Sequence, residues 1–141
     1  MNAGVSMDSA EMEVLISRHM RAEKCGDVDG AGAVYTEDVE HDAVGFPGSP
    51  RRGRDGAREF YENLKANFRT EGWEDLHRYV TADVMILEQA MTGVVIGSML
   101  GLPGNGRRVT FRMLHLFEFR DGLVSRENIW LDSAAIVDQL T

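Results

Sequence analysis

The sequence has a single cysteine, Cys25, and no long run of apolar residues. One cysteine cannot form an internal disulfide, which is typical of proteins from a reducing cytoplasm. No segment approaches the roughly 20 consecutive apolar residues that a membrane-spanning helix needs. Residues 1–6 lack the basic region and apolar stretch of a signal peptide. We therefore expect a cytoplasmic protein with no membrane partner.

Basic residues are also scarce, because 15 Lys and Arg stand against 23 Asp and Glu and give a net charge of −8. Binding to a phosphate backbone requires an excess of positive charge, so the composition argues against nucleic acid as a partner. Arg51, Arg52 and Arg54 form one local basic stretch. We interpret this stretch as a solvated loop, since glycines accompany it.

The known motifs for metals and cofactors are missing. His41, His77 and His115 do not have the spacing of metal ligands, and neither HExxH nor a pair of CxxC motifs occurs. The glycine-rich segments lack the Lys and the Ser or Thr of a P-loop, and they do not match a dinucleotide-binding fingerprint. We therefore expect no cofactor and no metal.

The length and the composition fit one domain. A chain of 141 residues can bury a sizeable core but is too short for two domains. With 43% hydrophobic and 27% charged residues, the chain does not have the composition of a disordered protein. We expect residues 1–8 to form a disordered tail and residues 9–141 to form a single domain.

The first half of the sequence carries most of the helical patterns. Asp8 and Glu11 have the spacing of a capping box, which predicts the start of a first helix that ends at Gly26. The buried stripe of this helix comprises Met12, Leu15, Ile16, His19 and Met20. Further helices are predicted over about residues 28–35, 55–68 and 133–140.

Strand patterns dominate the second half. The predicted strands cover about residues 39–44, 74–82, 84–100, 107–119 and 123–132, and Arg120-Asp121-Gly122 is a strong hairpin signal. Helices followed by a long antiparallel meander predict an α+β fold. In this fold, N-terminal helices pack on a strongly curved, mostly antiparallel sheet and enclose a pocket.

The hairpin at Asp121 predicts which side chains enter that pocket. One face of the first strand carries Val109, Phe111, Met113, His115, Phe117 and Phe119. If Arg120 pairs with Leu123, a regular register places Asn128, Trp130 and Asp132 on this same face. Glu88 and Glu127 are then expected to face solvent. A slip of one residue would reverse the assignment.

The interior would thus contain candidate acid–base groups: His19 from the first helix, His115 and Asn128 from the hairpin, and Asp132 from its end. Of His41 and Asp42, only one can point inward from a regular strand. A buried carboxylate with a raised pKa suits a general base or acid, and nearby histidines can donate to an oxyanion. Each residue also has a structural interpretation. The histidines fit hydrogen-bonded core positions, Asp42 fits a turn cap, and Asp132 fits a helix cap.

Several segments match known families. Those in the first half are Gly26-Asp27-Val28-Asp29-Gly30, Val34-Tyr35-Thr36-Glu37-Asp38-Val39, His41-Asp42-Ala43-Val44-Gly45, Arg52-Gly53-Arg54-Asp55-Gly56 and Glu59-Phe60-Tyr61. They resemble the opening of ketosteroid isomerases and their NTF2-like relatives. Those in the second half are Gly101-Leu102-Pro103, Gly106-Arg107-Arg108-Val109 and His115-Leu116-Phe117-Glu118-Phe119-Arg120-Asp121-Gly122. They resemble SnoaL-like polyketide cyclases. The resemblance covers residues 12–140 and implies a cone-shaped NTF2-like domain.

The resemblance also implies roles for individual residues. Asp42 falls where ketosteroid isomerases keep the Asp that removes a proton next to a carbonyl. His19 and His115 replace the Tyr and the protonated Asp that bind the oxyanion, which argues against steroid isomerisation itself. SnoaL-like cyclases use an acidic residue near a histidine for aldol closure, and Asp132 with His115 is the corresponding pair. Because relatives commonly form homodimers, the resemblance implies that this chain also forms a homodimer, through the outer face of its sheet.

Two functions remain open at this point. The first is a cofactor-independent acid–base enzyme acting on an apolar cyclic or polyketide-like carbonyl compound by isomerisation, aldol cyclisation or dehydration. Its catalytic residues would be Asp42, His115, His19 and Asp132, and its ligand-binding residues Met20, Phe60, Phe111, Met113, Asn128 and Trp130. The alternative is a non-catalytic module that binds a small molecule or dimerises. A desolvated carboxylate close to histidines would favour the enzyme.

Overall fold

The structure, a computed structural model, describes residues 7–141. Its helices are α1 (Ser9–Lys24), α2 (Val28–Gly32), α3 (Gly53–Asn67) and α4 (Ser133–Leu140). Its strands are β1 (Tyr35–Ala43), β2 (Arg51–Arg52), β3 (Phe68–Val80), β4 (Val84–Val95), β5 (Ser98–Met99), β6 (Leu102–Pro103), β7 (Arg107–Arg120) and β8 (Leu123–Leu131). This arrangement confirms the predicted α+β class. The predicted tail lies largely outside the described residues; of its last two residues, Met7 packs against the core and Asp8 caps α1.

Six strands form the main sheet in the order β2-β1-β8-β7-β4-β3. Neighbouring strands are antiparallel except β1 and β8, which run parallel. Helix α3 contacts both β1 and β3, which are four positions apart in the sheet. Strands are about 4.8 Å apart and a helix is about 10 Å wide, so a flat sheet could not bring both strands to one helix. The sheet therefore curves around α3, and the core lies on its concave face.

Local sequence signals set the start and the inner face of α1. The side chain of Asp8 accepts from the Glu11 amide, which confirms the capping box, and all five residues of the predicted stripe are buried. The helix ends at Lys24, and Gly26 follows with φ +72°, a left-handed conformation that glycine adopts without strain. No helix in the described part of the chain has the length and apolar character needed to cross a membrane.

Several boundaries differ from the prediction. Helix α2 ends at Gly32, because Gly30 and Gly32 weaken helix propensity, and β1 begins already at Tyr35. Strand β3 begins at Phe68, directly after α3, six residues before its predicted start. Its first residues are mostly polar, so they carry no apolar alternation that would have revealed a strand.

The β7–β8 hairpin begins as predicted and then changes register. Arg120 pairs with Leu123, and Asp121 and Gly122 both have positive φ, as a two-residue hairpin turn requires. After Phe119–Val124 the register shifts, so that Ser125 is an extra residue in β8 and His115 pairs with Ile129 rather than with Asn128. This β-bulge exchanges the two faces of the rest of β8. The prediction that Glu127 faces solvent is therefore wrong.

Candidate active site

A cluster of polar side chains lies inside the apolar core, on the concave face of the sheet. Each of them is at most 3% exposed. Its members are His19 of α1, Tyr35 and His41 of β1, Tyr61 of α3, Gln89 of β4, His115 of β7 and Glu127 of β8. Buried polar groups destabilise a fold unless they form hydrogen bonds. These seven side chains, which we call the buried polar cluster, largely bond one another.

The carboxylate of Glu127 is the centre of this cluster. Its Oε1 accepts from the Tyr35 hydroxyl at 2.5 Å and lies 3.5 Å from both the Tyr61 hydroxyl and His19 Nε2. Its Oε2 lies 3.2 Å from His115 Nδ1. The strand register produces this convergence, because Glu127 pairs with His41 on one side and Phe117 on the other. The Tyr35 hydroxyl donates a hydrogen bond to this carboxylate and the Tyr61 hydroxyl is placed to do so, whereas His19 and His115 donate only when the nitrogen that faces Glu127 carries a proton.

Burial alone would raise the pKa of Glu127. The hydrogen bond from His115, together with the electrostatic attraction of the His19 and His115 rings, outweighs burial and holds this pKa below its ordinary value. The same carboxylate affects the two tyrosines. Burial and the nearby negative charge raise the pKa values of Tyr35 and Tyr61 well above 10, so both hydroxyls remain protonated.

Hydrogen bonds fix the proton on one nitrogen of His115. The Gln89 amide donates to Asp75 Oδ1 at 2.9 Å, so the Gln89 oxygen faces His115 Nε2, also at 2.9 Å. An amide oxygen only accepts, and therefore His115 Nε2 must carry a proton. His115 Nδ1 is then directed at Glu127 Oε2, 3.2 Å away.

The other two histidines meet at the Tyr61 hydroxyl, which lies 3.2 Å from Nε2 of each. His19 Nδ1 donates to the Ala31 carbonyl at 2.8 Å, which directs His19 Nε2 toward the carboxylates. Burial lowers the pKa of His41, so this imidazole is neutral near pH 7. Within residues 7–141, His41 Nδ1 has no hydrogen-bond partner.

An apolar cavity opens beside this cluster. Its free volume is about 40 Å³, and Tyr61, His115 and Glu127 are among the residues that line it. Three of its wall residues are Met91, Met99 and Met113, whose flexible side chains can change rotamer to admit a larger group. In its present form the cavity has room for one end of a small molecule but not for the whole molecule, since typical ligand sites measure about 300 Å³ or more.

A second space, which we call the outer cleft, adjoins the cavity and has a volume of about 310 Å³. The two spaces share four wall residues: Glu23, Tyr61, Leu64 and Phe68. The outer cleft therefore lies directly against the cavity, with these four side chains between the two spaces.

Glu23, in the last turn of α1, lies where the cavity and the outer cleft meet. Burial is the main cause that raises its pKa to about 7, and the negative charge of Glu127 adds to the increase while His19 opposes it. Glu23 Oε2 lies 3.8 Å from His19 Nε2. His19 thus lies between two carboxyl groups with opposite pKa shifts, which is the arrangement expected of an acid–base site.

The structure brings together only part of the predicted site. His19 and His115 belong to the buried polar cluster, and Phe60, Phe111 and Met113 line the cavity. Met20 is buried but lines a different cleft, between α1 and the strands β3 and β4.

The other predicted residues lie elsewhere. The register pairs Asp42 with Asn128 on the opposite face of the sheet, where Asn128 donates to Asp42 Oδ2 at 3.3 Å and accepts from Trp130 Nε1 at 2.6 Å. Asp132 caps α4 by accepting from the Ala135 amide at 3.1 Å. Of the pair His41 and Asp42, His41 points inward.

Sequence signals existed for the residues that were missed. Glu23 follows His19 by four positions and therefore lies on the same face of α1. Gln89 alternates with Leu87 and Met91 on the apolar face of β4. Val124 and Ile129 are both apolar but five residues apart, and in a regular strand they would face opposite sides. That conflict was the signal for the bulge that turns Glu127 inward.

Comparison with known proteins agrees with this architecture. The model of the SnoaL-like polyketide cyclase family matches residues 14–140. TsrD from Streptomyces laurentii is 21% identical, with a TM-score of 0.81 over 95% of this chain and 97% of TsrD. A proposed polyketide cyclase from Xanthomonas campestris pv. campestris is 22% identical, with a TM-score of 0.83 over 94% of this chain and 98% of its own.

A protein with a ketosteroid isomerase-like fold from Catenulispora acidiphila is 13% identical, with a TM-score of 0.74 over 89% of this chain and 91% of its own. At these identities, the solved structures establish the fold alone. No protein with a curated description matches the sequence. Within the described range, no three His, Cys, Asp or Glu side chains are arranged to hold a metal ion.

The raised pKa of Glu23 predicts a pH-dependent stability. In the folded protein Glu23 keeps its proton up to about pH 7, whereas in the unfolded chain it ionises near 4.5. Glu23 therefore contributes its full stabilisation below pH 4.5. This stabilisation is lost as the pH rises to about 7, which lowers the free energy of unfolding by at most about 3 kcal/mol. Chemical denaturation from pH 4.5 to 8 should show this loss in the wild type. It should be absent in Glu23→Gln and retained in the exposed control Glu74→Gln.

The hydrogen bonds that link His115 through Gln89 to Asp75 predict that His115 Nε2 carries a proton. Replacing Gln89 with Leu removes the only acceptor for His115 Nε2–H and should reduce stability by about 1–3 kcal/mol. In ¹⁵N NMR, the Nε2 signal of His115 in this variant should no longer have the chemical shift of a nitrogen that is always protonated. A His115 signal that Gln89→Leu leaves unchanged would contradict the assignment.

Proposed function

The chain belongs to the SnoaL-like polyketide cyclase family, and we propose that it is a cofactor-independent acid–base enzyme acting on an apolar carbonyl compound. The supporting observation is the pair of carboxyl groups around His19, of which Glu23 has a pKa of about 7 and Glu127 a lowered pKa. Isomerisation, aldol cyclisation and dehydration all begin with removal of a proton next to a carbonyl, and the site fits this shared step.

We assign the proton transfer to Glu23. A base works best when its pKa lies near the working pH, and Glu23 meets this condition at a position that faces both the cavity and the outer cleft. The carboxylate takes the proton from the substrate carbon, and the electron pair of the broken C–H bond moves onto the carbonyl oxygen to form an enolate. Glu23, now neutral, returns the proton at a later step. Such a base contributes about 10²–10⁴-fold to the rate.

The enolate oxygen requires a hydrogen-bond donor, and Tyr61 can supply one. Its hydroxyl stays protonated, and Tyr61, like Glu23, lines both the cavity and the outer cleft. A donor held in place before the reaction stabilises the developing negative charge, with effects of about 10²–10³-fold in known enzymes.

Glu127 then acts through the other groups rather than on the substrate. It holds His115 and Tyr35 by hydrogen bonds, and its negative charge raises the pKa of Glu23. His19 lies between the two carboxyl groups and lowers the pKa of Glu23, so it opposes the effect of Glu127. We therefore assign Glu127 the role of raising the pKa of the base, Glu23. His19 is the side chain that lies close to both carboxyl groups.

Hydrogen–deuterium exchange at the carbon beside the carbonyl of 2-tetralone in D₂O, followed by NMR, tests the proton-transfer step without knowledge of the natural substrate. The catalysed exchange rate should rise with pH and level off above about pH 7, because the ionised form of Glu23 is the base. Glu23→Gln should reduce this rate by about 10²-fold or more. Glu127→Gln should move the inflection below pH 7, since it removes a negative charge near Glu23.

The control for these variants is Glu118→Gln, which removes a carboxylate from a partly exposed ion pair with Arg126 and should leave the profile unchanged. Asp42→Asn tests the alternative base that the family resemblance implies. Exchange that survives in Glu23→Gln but is lost in Asp42→Asn would refute the assignment to Glu23. A wild-type protein that catalyses no exchange, although folded, would favour a non-catalytic binding module.

A further inference from the structure

The outer cleft concentrates the lysines of the protein. The sequence contains only two lysines, Lys24 and Lys65, and both line this cleft together with Arg69. In the described part of the chain no carboxylate lies within 4 Å of these three cations. Other basic side chains do form ion pairs, for example Arg51 with Glu59. Lys24 Nζ lies 5.8 Å from the centre of the Trp73 ring, and the charge of Arg69 acts on Glu71, but none of the three cations is held in an ion pair within residues 7–141.

Negative charge in the cleft is smaller than this positive charge. Asp27 lines the cleft, but its carboxylate accepts from the Gly30 amide at 2.9 Å and caps α2. Glu23 is about half protonated at neutral pH, because its pKa is about 7. The cleft is therefore positive on a chain whose net charge is −8, and such local fields attract anions.

The remaining wall of the cleft is apolar. Val28, Leu64, Phe68 and Ile96 line it, and the side chain of Ile96 is 49% exposed, so its apolar surface is accessible to a ligand. A volume of about 310 Å³ is within the range of small-molecule sites. The walls therefore fit a ligand that has both an apolar body and a negative group.

We propose that the outer cleft binds an apolar carboxylate, with its carboxylate held by Lys24, Lys65 and Arg69 and its body against the apolar wall. Ammonium and guanidinium groups form strong, charge-assisted hydrogen bonds with carboxylates. Glu23 and Tyr61 line the cleft as well as the cavity, so a ligand in the cleft lies beside these two groups of the proposed site. As a statement about substrate class, namely carbonyl compounds that carry a carboxylate, this inference rests on the proposed function.

Binding of 2-naphthoate and of its uncharged methyl ester, measured by fluorescence titration or calorimetry, tests the proposal without any turnover. The wild type should bind the acid more tightly than the ester. The double variant Lys24→Gln/Lys65→Gln should bind the acid about tenfold more weakly and the ester unchanged. Raising the NaCl concentration from 0.05 to 0.5 M should weaken binding of the acid only.

The matched control is Arg18→Gln/Arg107→Gln, which removes the same charge at exposed positions outside the cleft and should bind the acid like the wild type. Circular dichroism melting curves verify that all variants fold. Equal affinity of the wild type for acid and ester, no detectable binding of the acid, or an equal loss in the control variant would each overturn the proposal.

The binding and exchange experiments can fail separately. Lysine-dependent binding of 2-naphthoate without exchange of 2-tetralone would refute the proposed enzyme and retain the carboxylate site. Exchange of 2-tetralone without lysine-dependent binding of 2-naphthoate would refute the carboxylate site and retain the enzyme.

Discussion

The arrangement of the core depends on a single carboxylate, that of Glu127, being held inside it. A buried charge without partners would cost several kcal/mol. Here hydrogen bonds from Tyr35 and His115 and the nearby ring of His19 compensate for the loss of water. These partners come from β1, β7 and α1, so the sheet and the first helix must both be in place before the charge is stabilised. The same contacts then fix the side chains that surround the cavity.

The two carboxyl groups of the site differ because their surroundings differ. Glu127 has several donors and a lowered pKa, whereas Glu23 has few donors and a pKa of about 7. The negative charge of Glu127 is one cause of the raised pKa of Glu23, so the two groups form one electrostatic unit with His19 between them. Glu23 also lines the positive outer cleft, which connects this unit with the site proposed for an anionic ligand.

Much of the fold followed from local patterns. The capping box and the buried stripe defined α1, the alternation of β7 placed His115 inward, and Asp121-Gly122 located the hairpin turn. The predictions failed where local signals were weak or depended on distant partners. Strand β3 begins with polar residues that pair with β4 and show no apolar alternation. The extra residue Ser125 moved Glu127 to the inside, and a regular register had placed Asn128 there.

The sequence by itself determined the α+β class, the family resemblance, the inward histidines His19 and His115, and the absence of known metal and cofactor motifs. These properties depend on residue types and on spacings within single elements. Tertiary structure alone decided which carboxyl groups lie beside the cavity, since their positions depend on a one-residue bulge and on the distance between α1 and β8. A pKa follows from burial and from neighbouring charges, and both arise only when elements far apart in sequence pack together.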